Sequence, residues 1–169
     1  AMFWMARMLE GGEDPRVVTR RMIAMASEDV GLADPAALRI ALDAWSAIEV
    51  LGLPEGRLAM TQACLYLATC PKSDTVVKAL GQATKAAKLH AEAPVPIHLR
   101  NAPTRLAKQL GHGKGYRYPH DHPHGFVAQA YLPESLGDLR LFTPQAIGAE
   151  REVVKRHAWW QRLRREAGS

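Results

Sequence analysis

Cysteine is scarce: Cys64 and Cys70 are the two in 169 residues, too few and too close together to staple a fold. Both fall in an apolar helical stretch, so buried, reduced thiols of a cytoplasmic protein are expected, and neither stands in an electropositive setting that would make it reactive. Aromatic residues make up only 7% of the chain, and Ala and Leu dominate the apolar set over Val, Ile and Phe. That shortage argues against sheet and for helix. No apolar run approaches the roughly 18 residues a membrane span needs, so no membrane partner is expected, and the first residues do not read as a secretory leader. Acidic residues are the minority, 17 Asp and Glu against 22 Lys and Arg, for a formal charge of +5. Such a balance is compatible with nucleic acid without demanding it. The basic excess gathers near the C-terminus, in Arg151, Lys155, Arg156, Arg162, Arg164 and Arg165.

What is present reads as one all-α domain: a helical bundle, a long irregular Pro/Gly-rich segment and a C-terminal helix. In the first part, residues 1–92, helix signals follow one another closely. The apolar segment 2–10 stops at Gly11-Gly12. Asp14-Pro15 pairs an N-cap with proline at the first helical position, and Asp34-Pro35 repeats it. Helical spacing predicts buried stripes of Val18, Met22 and Met25, then Leu38, Leu42, Trp45 and Ile48, closed by Gly52. After Leu53-Pro54-Glu55 come Leu58, Thr61, Leu65 and Ala68, ended by Pro71. Ser73 caps a fifth helix with Val76, Leu80, Ala83 and Ala87 on its buried side. The first helix is apolar on more than one face, so Met2, Phe3, Trp4, Met5, Met8 and Leu9 are expected to be covered, within the fold in the favoured reading or by a surface shared with further sequence or another subunit in the alternative. Its abrupt start suggests a piece of a longer protein.

Residues 93–147 change texture. Seven of the 11 prolines lie there, and glycines cluster at 111, 113 and 115. Only 104–109 resembles a helix. The segment nonetheless carries Ile97, Leu99, Tyr116, Tyr118, Phe126 and Tyr131, which disordered linkers lack, so an ordered strap over the bundle or a neighbouring subunit is expected. A basic helix at 148–169 closes the chain.

Three motifs invite chemistry. The loop Gly111-His112-Gly113-Lys114-Gly115 resembles a phosphate loop, but no strand precedes it and no helix follows, so it reads as a turn. His120, His122 and His124 alternate, as metal ligands on one strand face would, yet Pro119 and Pro123 interrupt the backbone and no second ligand cluster is apparent. Glu28-Asp29 is the one conspicuous carboxylate pair, and turn chemistry explains it. No catalytic site and no bound cofactor are therefore expected in this chain. Lys155, Arg156, Arg162, Arg164 and Arg165, interleaved with Trp159 and Trp160, are candidates for gripping phosphates and stacking on bases. The same residues also suit a helix C-terminus and its dipole.

Several long phrases resemble one family: WMARMLEGGEDP (4–15), ASEDVGLADP (26–35), LPEGR (53–57), YLATCPKS (66–73), PIHLRNAPT (96–104), GYRYPHD (115–121) and YLP (131–133). They are similar to the C-terminal part of the replication-associated recombination protein A family of bacterial AAA+ ATPases, also called MgsA, whose eukaryotic relatives include the Werner helicase-interacting protein. The resemblance implies an N-terminal motor that uses ATP and Mg²⁺, absent from these residues, followed by a clamp-loader-collar-like helical bundle through which subunits associate, as a homotetramer. It further implies action on DNA at stalled replication forks, cooperation with single-stranded-DNA-binding protein, and a cytoplasmic, nucleoid-associated location. In or beside the resembling phrases, with no role assigned, lie Glu28, Asp29, Arg100, Asn101, Pro103, Thr104, Lys114, Tyr116, Tyr118, His120 and Asp121. His122 and His124 depart from the family pattern, which weakens the metal reading.

Overall fold

In a computed structural model describing residues 1–167, the chain is helical and, among those residues, contains no strand. Gly168 and Ser169, the end of the expected basic helix, lie outside the described residues. Seven α-helices occur among the described residues: α1 Met2–Glu10, α2 Pro15–Met25, α3 Ala36–Leu51, α4 Gly56–Thr69, α5 Thr75–Leu89, α6 Arg105–Gln109 and α7 Glu150–Ala167. Two compact units form, one from Ala1–Gly81 with Phe142–Val154, the other from Gln82–Leu141 with Lys155–Ser169. The boundaries fall inside α5 and α7, so each unit holds part of both helices.

Local chemistry sets the ends of the first unit's helices. The Asp14 side chain accepts from the Arg16 amide at 2.8 Å, with Pro15 at the first helical position. Asp34 does the same for Ala36 at 3.1 Å. Gly52, at φ +68°, closes α3 in a conformation costly for any other residue. Between α2 and α3 the backbone widens into one π-helical turn, Ala26–Val30, which carries Glu28 and Asp29.

The core of this unit is built on small residues. α3 buries Ala37, Ala41, Ala44 and Ile48; α4 buries Gly56, Met60, Ala63, Cys64 and Leu67. Met5, Leu9, Val18, Met22 and Val30 complete it. The expected stripes on α3 and α4 are therefore corrected: Leu38, Leu42, Leu58 and Leu65 face outward, Trp45 is half-buried, and only Ile48 of the leucine-rich sets is in the core. On α5, Val76 and Leu80 are likewise exposed, Ala83 is half-buried, and Thr75 and Ala86 are buried. The reason is distance. Alanine and glycine faces let helix backbones approach closely, so a Cβ on Gly56 would stand 3.3 Å from the Ile48 Cα. The α1 expectation is corrected too: Met5 and Leu9 are buried, whereas Phe3, Trp4 and Met8 are not.

In the second unit, irregular backbone is held by specific bonds rather than by long helices. The Thr104 hydroxyl accepts from the Ala107 amide at 3.1 Å and starts α6. The amides of His112 and Gly113 return to the carbonyls of Ala107 and Ile97 at 3.1 and 2.9 Å. Arg100 Nε donates to the Val95 carbonyl at 2.7 Å, and the His98 ring bonds the Ala130 carbonyl at 2.8 Å. Ala86, Ala107 and Val127 are its buried apolar residues.

Candidate association and nucleic-acid surfaces

The first unit displays large apolar side chains that no part of it covers. Leu58 and Leu65, seven residues apart and so on one stripe of α4, are 78% and 50% exposed. Val50, Leu51 and Leu53 surround the start of that stripe at the α3–α4 corner, all exposed. On α1, Phe3 and Trp4 meet edge to face at 5.3 Å while remaining 66% and 61% exposed, with Arg7 over the Trp4 ring at 5.6 Å. These exposed apolar side chains make this face of the unit a candidate interaction surface.

The same unit encloses one polar knot. Glu150, the first residue of α7, is fully buried; it accepts from the Ser73 hydroxyl at 2.5 Å and from the Gln145 amide at 3.0 Å. Ser73, expected as a helix cap, thus spends its hydroxyl proton on a carboxylate 77 residues away, and its oxygen lies 3.5 Å from the Thr75 amide. The Ala149 amide donates to the Ala33 carbonyl at 2.7 Å beside it. An open cavity of about 380 Å³ adjoins this knot, lined by Met25, Asp29, Lys72, Ser73, Asp74 and Gln145. Cys64 and Cys70 are buried and free, and burial pushes both thiols up, so they stay protonated at neutral pH.

The second unit has a different character. It holds 13 of the 22 Lys and Arg but only 5 of the 17 Asp and Glu, a formal +8, whereas the first unit is left at −3. Within α7, Lys155, Arg156, Arg162, Arg164 and Arg165 are all exposed. Arg156, Trp160 and Arg164 recur every four residues and share a stripe, with Trp160 43% exposed; Trp159 is half-buried and meets the His124 ring edge-on at 5.6 Å. Tyr116, Arg117 and Tyr118 form an exposed run after Lys114, and Tyr131 is exposed as well. The Gln129 amide clips this run: its Oε1 accepts from the Arg117 amide at 3.3 Å, and its Nε2 donates to the Arg117 carbonyl at 3.0 Å and to the Tyr131 hydroxyl at 2.9 Å. Sequence reasoning missed Gln129 and Glu150, since neither carries a local signal.

The histidines are not arranged as strand ligands. His120 sits in a single turn, Pro119–Asp121, tilted against Tyr118 at 5.0 Å, and His124, at φ +63°, faces Trp159. Among the described residues no group of three or more His, Cys, Asp or Glu is placed to hold a metal ion. The glycine loop has α6 before it and the irregular run 116–118 after it, so it lacks the strand–loop–helix cradle for nucleotide phosphates. ATP and Mg²⁺ do not fit there. Of the remaining singled-out residues, Glu28, Asp29, Asn101 and Pro103 are exposed, Arg100 is half-buried, and Asp121 ends the His120 turn. Among the described residues, no helix is long and apolar enough to cross a membrane.

The first unit is all-helical with outward leucines, and the second is basic. Residues 1–161 match the family model described as MgsA AAA+ ATPase C terminal, and the chain belongs to that family. It is 48% identical over 164 residues to replication-associated recombination protein A of Coxiella burnetii, covering 96% of this chain and 37% of that protein. It is 42% identical over 160 residues to the Escherichia coli K12 protein of the same name, 94% and 36% covered. A 42% identity over 141 residues to ATPase WRNIP1 of Dictyostelium discoideum covers 83% and 16%. The chain thus spans about a third or less of the length of these relatives.

Proposed function

We propose that this domain is a self-association module that holds AAA+ motors together, as a homotetramer, for work on DNA during replication and recombination, and that it performs no catalysis itself. Its physical role is to raise the effective concentration of motor domains for one another. ATP and Mg²⁺ then belong to the remainder of the protein, and single-stranded-DNA-binding protein and a nucleoid-associated place in the cytoplasm belong to the whole. The observation that carries the reading is the outward leucine stripe of α4, Leu58 and Leu65, set apart from the face that buries Gly56, Met60, Ala63, Cys64 and Leu67. Burying one leucine side chain contributes about 1.5–3 kcal/mol, so a repeated pair across copies supports stable assembly. Light scattering on the chain across micromolar concentrations is expected to give a multimer of the 18.6 kDa protomer. Leu58→Glu with Leu65→Glu is expected to reduce it to monomers without loss of helical circular dichroism. A wild-type monomer at high micromolar concentration refutes the reading.

A second reading, nucleic-acid contact through α7, draws support from the outward Trp160 between Arg156 and Arg164. Replacing Arg162, Arg164 and Arg165 by Ala is then expected to weaken DNA binding and flatten its salt dependence.

A further inference from the structure

Beyond self-association, and apart from α7, the geometry of the second unit points to a base-stacking site: we propose that Tyr116, Tyr118 and Tyr131, held by Gln129 and flanked by Lys114 and Arg117, form a platform for single-stranded nucleic acid. Three observations carry this. The platform lies in the unit with 13 basic and 5 acidic residues, so its environment attracts a polyanion, and Lys114 and Arg117 are exposed within the run itself. Its aromatic rings are exposed, and exposed tyrosine faces in a cationic setting suit bases, each of which has a π face. Finally, the run is ordered rather than slack.

The order comes from Gln129. Its side-chain amide bonds both the N–H and the C=O of Arg117, as a neighbouring strand would, and its second N–H reaches the Tyr131 hydroxyl. One side chain thus fixes the backbone between Tyr116 and Tyr118 and ties Tyr131 to it. His120 is tilted against the Tyr118 ring at 5.0 Å and supports it from the far end of the run. Rings held in place cost less entropy to use than rings on a free loop. A duplex keeps its bases stacked inside and offers such rings nothing, so the expected ligand is a single strand. A purely electrostatic surface would not discriminate in this way, because phosphate contacts carry no information about the bases.

The test is fluorescence anisotropy of a labelled oligothymidylate of about 20 nucleotides, with the matching duplex and heparin as controls, and light scattering of every protein sample. The expected result is tighter binding of the single strand than of the duplex. Tyr116→Ala and Tyr118→Ala are each expected to weaken single-strand binding about 5–100-fold, the range for loss of one stacked base. Tyr118→Phe keeps the ring and is expected to retain binding. Gln129→Ala releases the clip and is expected to fall between them. Lys114→Ala is expected to lower the slope of log affinity against log salt by about one, with the tyrosine variants leaving it unchanged. Unchanged mass in the tyrosine variants separates this site from self-association, and loss of the preference for single strand over duplex in the tyrosine variants but not in the α7 arginine variants separates it from α7. Equal affinity of Tyr116→Ala, Tyr118→Ala and wild type overturns the proposal. So do equal losses for heparin and oligothymidylate in the tyrosine variants, or no binding of the single strand at low salt.

Discussion

Ser73→Ala is the most informative single perturbation of the first unit, because it leaves Glu150 in place and removes half of what holds it. Glu150 is fully buried and takes one bond from Ser73 at 2.5 Å and one from the Gln145 amide at 3.0 Å. A buried acceptor that loses its donor costs its desolvation penalty, about 1–3 kcal/mol and more for a carboxyl group. The helix dipole acts on Glu150 equally in both proteins and cancels from the difference. A loss of about 2–4 kcal/mol is therefore expected for Ser73→Ala. With an urea slope near 2 kcal/mol/M, that shifts the unfolding midpoint by about 1–2 M. Glu150→Ala removes the carboxylate, so Ser73→Ala in that background is expected to cost much less. Urea titrations of the four proteins, followed by far-ultraviolet circular dichroism, close the cycle. A Ser73→Ala change below 0.5 kcal/mol, or a coupling near zero, refutes the claim that this knot holds the start of α7.

Two other perturbations follow from the same unit. Gly148 stands at φ +51°, where an added Cβ would lie 2.1 Å from the Ala33 carbonyl oxygen, so Gly148→Ala must break the Ala149–Ala33 bond; a loss of about 3 kcal/mol or more is expected, and urea unfolding within 1 kcal/mol of wild type contradicts it. Rising pH is expected to destabilise the protein above about pH 9. Burial raises the Cys64 and Cys70 thiols above 9.0, and the Tyr66 hydroxyl, bonded to Asp34 at 2.8 Å, is raised above 10.0. A raised folded-state value means the contribution is complete below the ordinary value and lost as pH climbs through it; urea midpoints at pH 8 and pH 10 check this, and Cys64→Ala with Cys70→Ala is expected to flatten the fall.

Helix placement was legible because its signals are local. Gly11-Gly12, Asp14-Pro15, Asp34-Pro35 and Gly52 act within a turn of themselves, and Thr104 starts α6 for the same reason. Helix orientation was not legible on α3 to α5. A hydrophobic stripe drawn through the largest side chains selects Leu38, Leu42, Leu58 and Leu65, but the core selected the faces that let two backbones come close, namely Ala37, Ala41 and Ala44 against Gly56, Met60 and Ala63. Both faces of each helix are apolar, and the choice between them is tertiary. The Ser73–Glu150 pair was invisible for a similar reason, since its partners are 77 residues apart and neither residue is unusual at its own position. On the second unit, the tyrosine run stood out in the sequence as apolar content of the strap and as part of a family phrase, not as an exposed surface. Its physical character depends on Gln129, 12 residues away from Arg117.

The segregation of charge follows the segregation of surface type, and the two together separate two kinds of work. The first unit is slightly acidic and presents leucine, phenylalanine and tryptophan outward, so the self-association proposed for it would be apolar in origin and little affected by moderate salt. The second unit, at +8, would repel its own copies wherever two approached closely without an intervening anion. Assembly through the first unit and polyanion contact through the second are therefore compatible only if the basic surfaces are kept apart or bridged by the ligand. A nucleic acid strand is a bridge of that kind: it neutralises the charge that copies of the domain would otherwise hold against one another. Under the two proposals together, strand binding and assembly would be thermodynamically linked, each strengthening the other by the same factor.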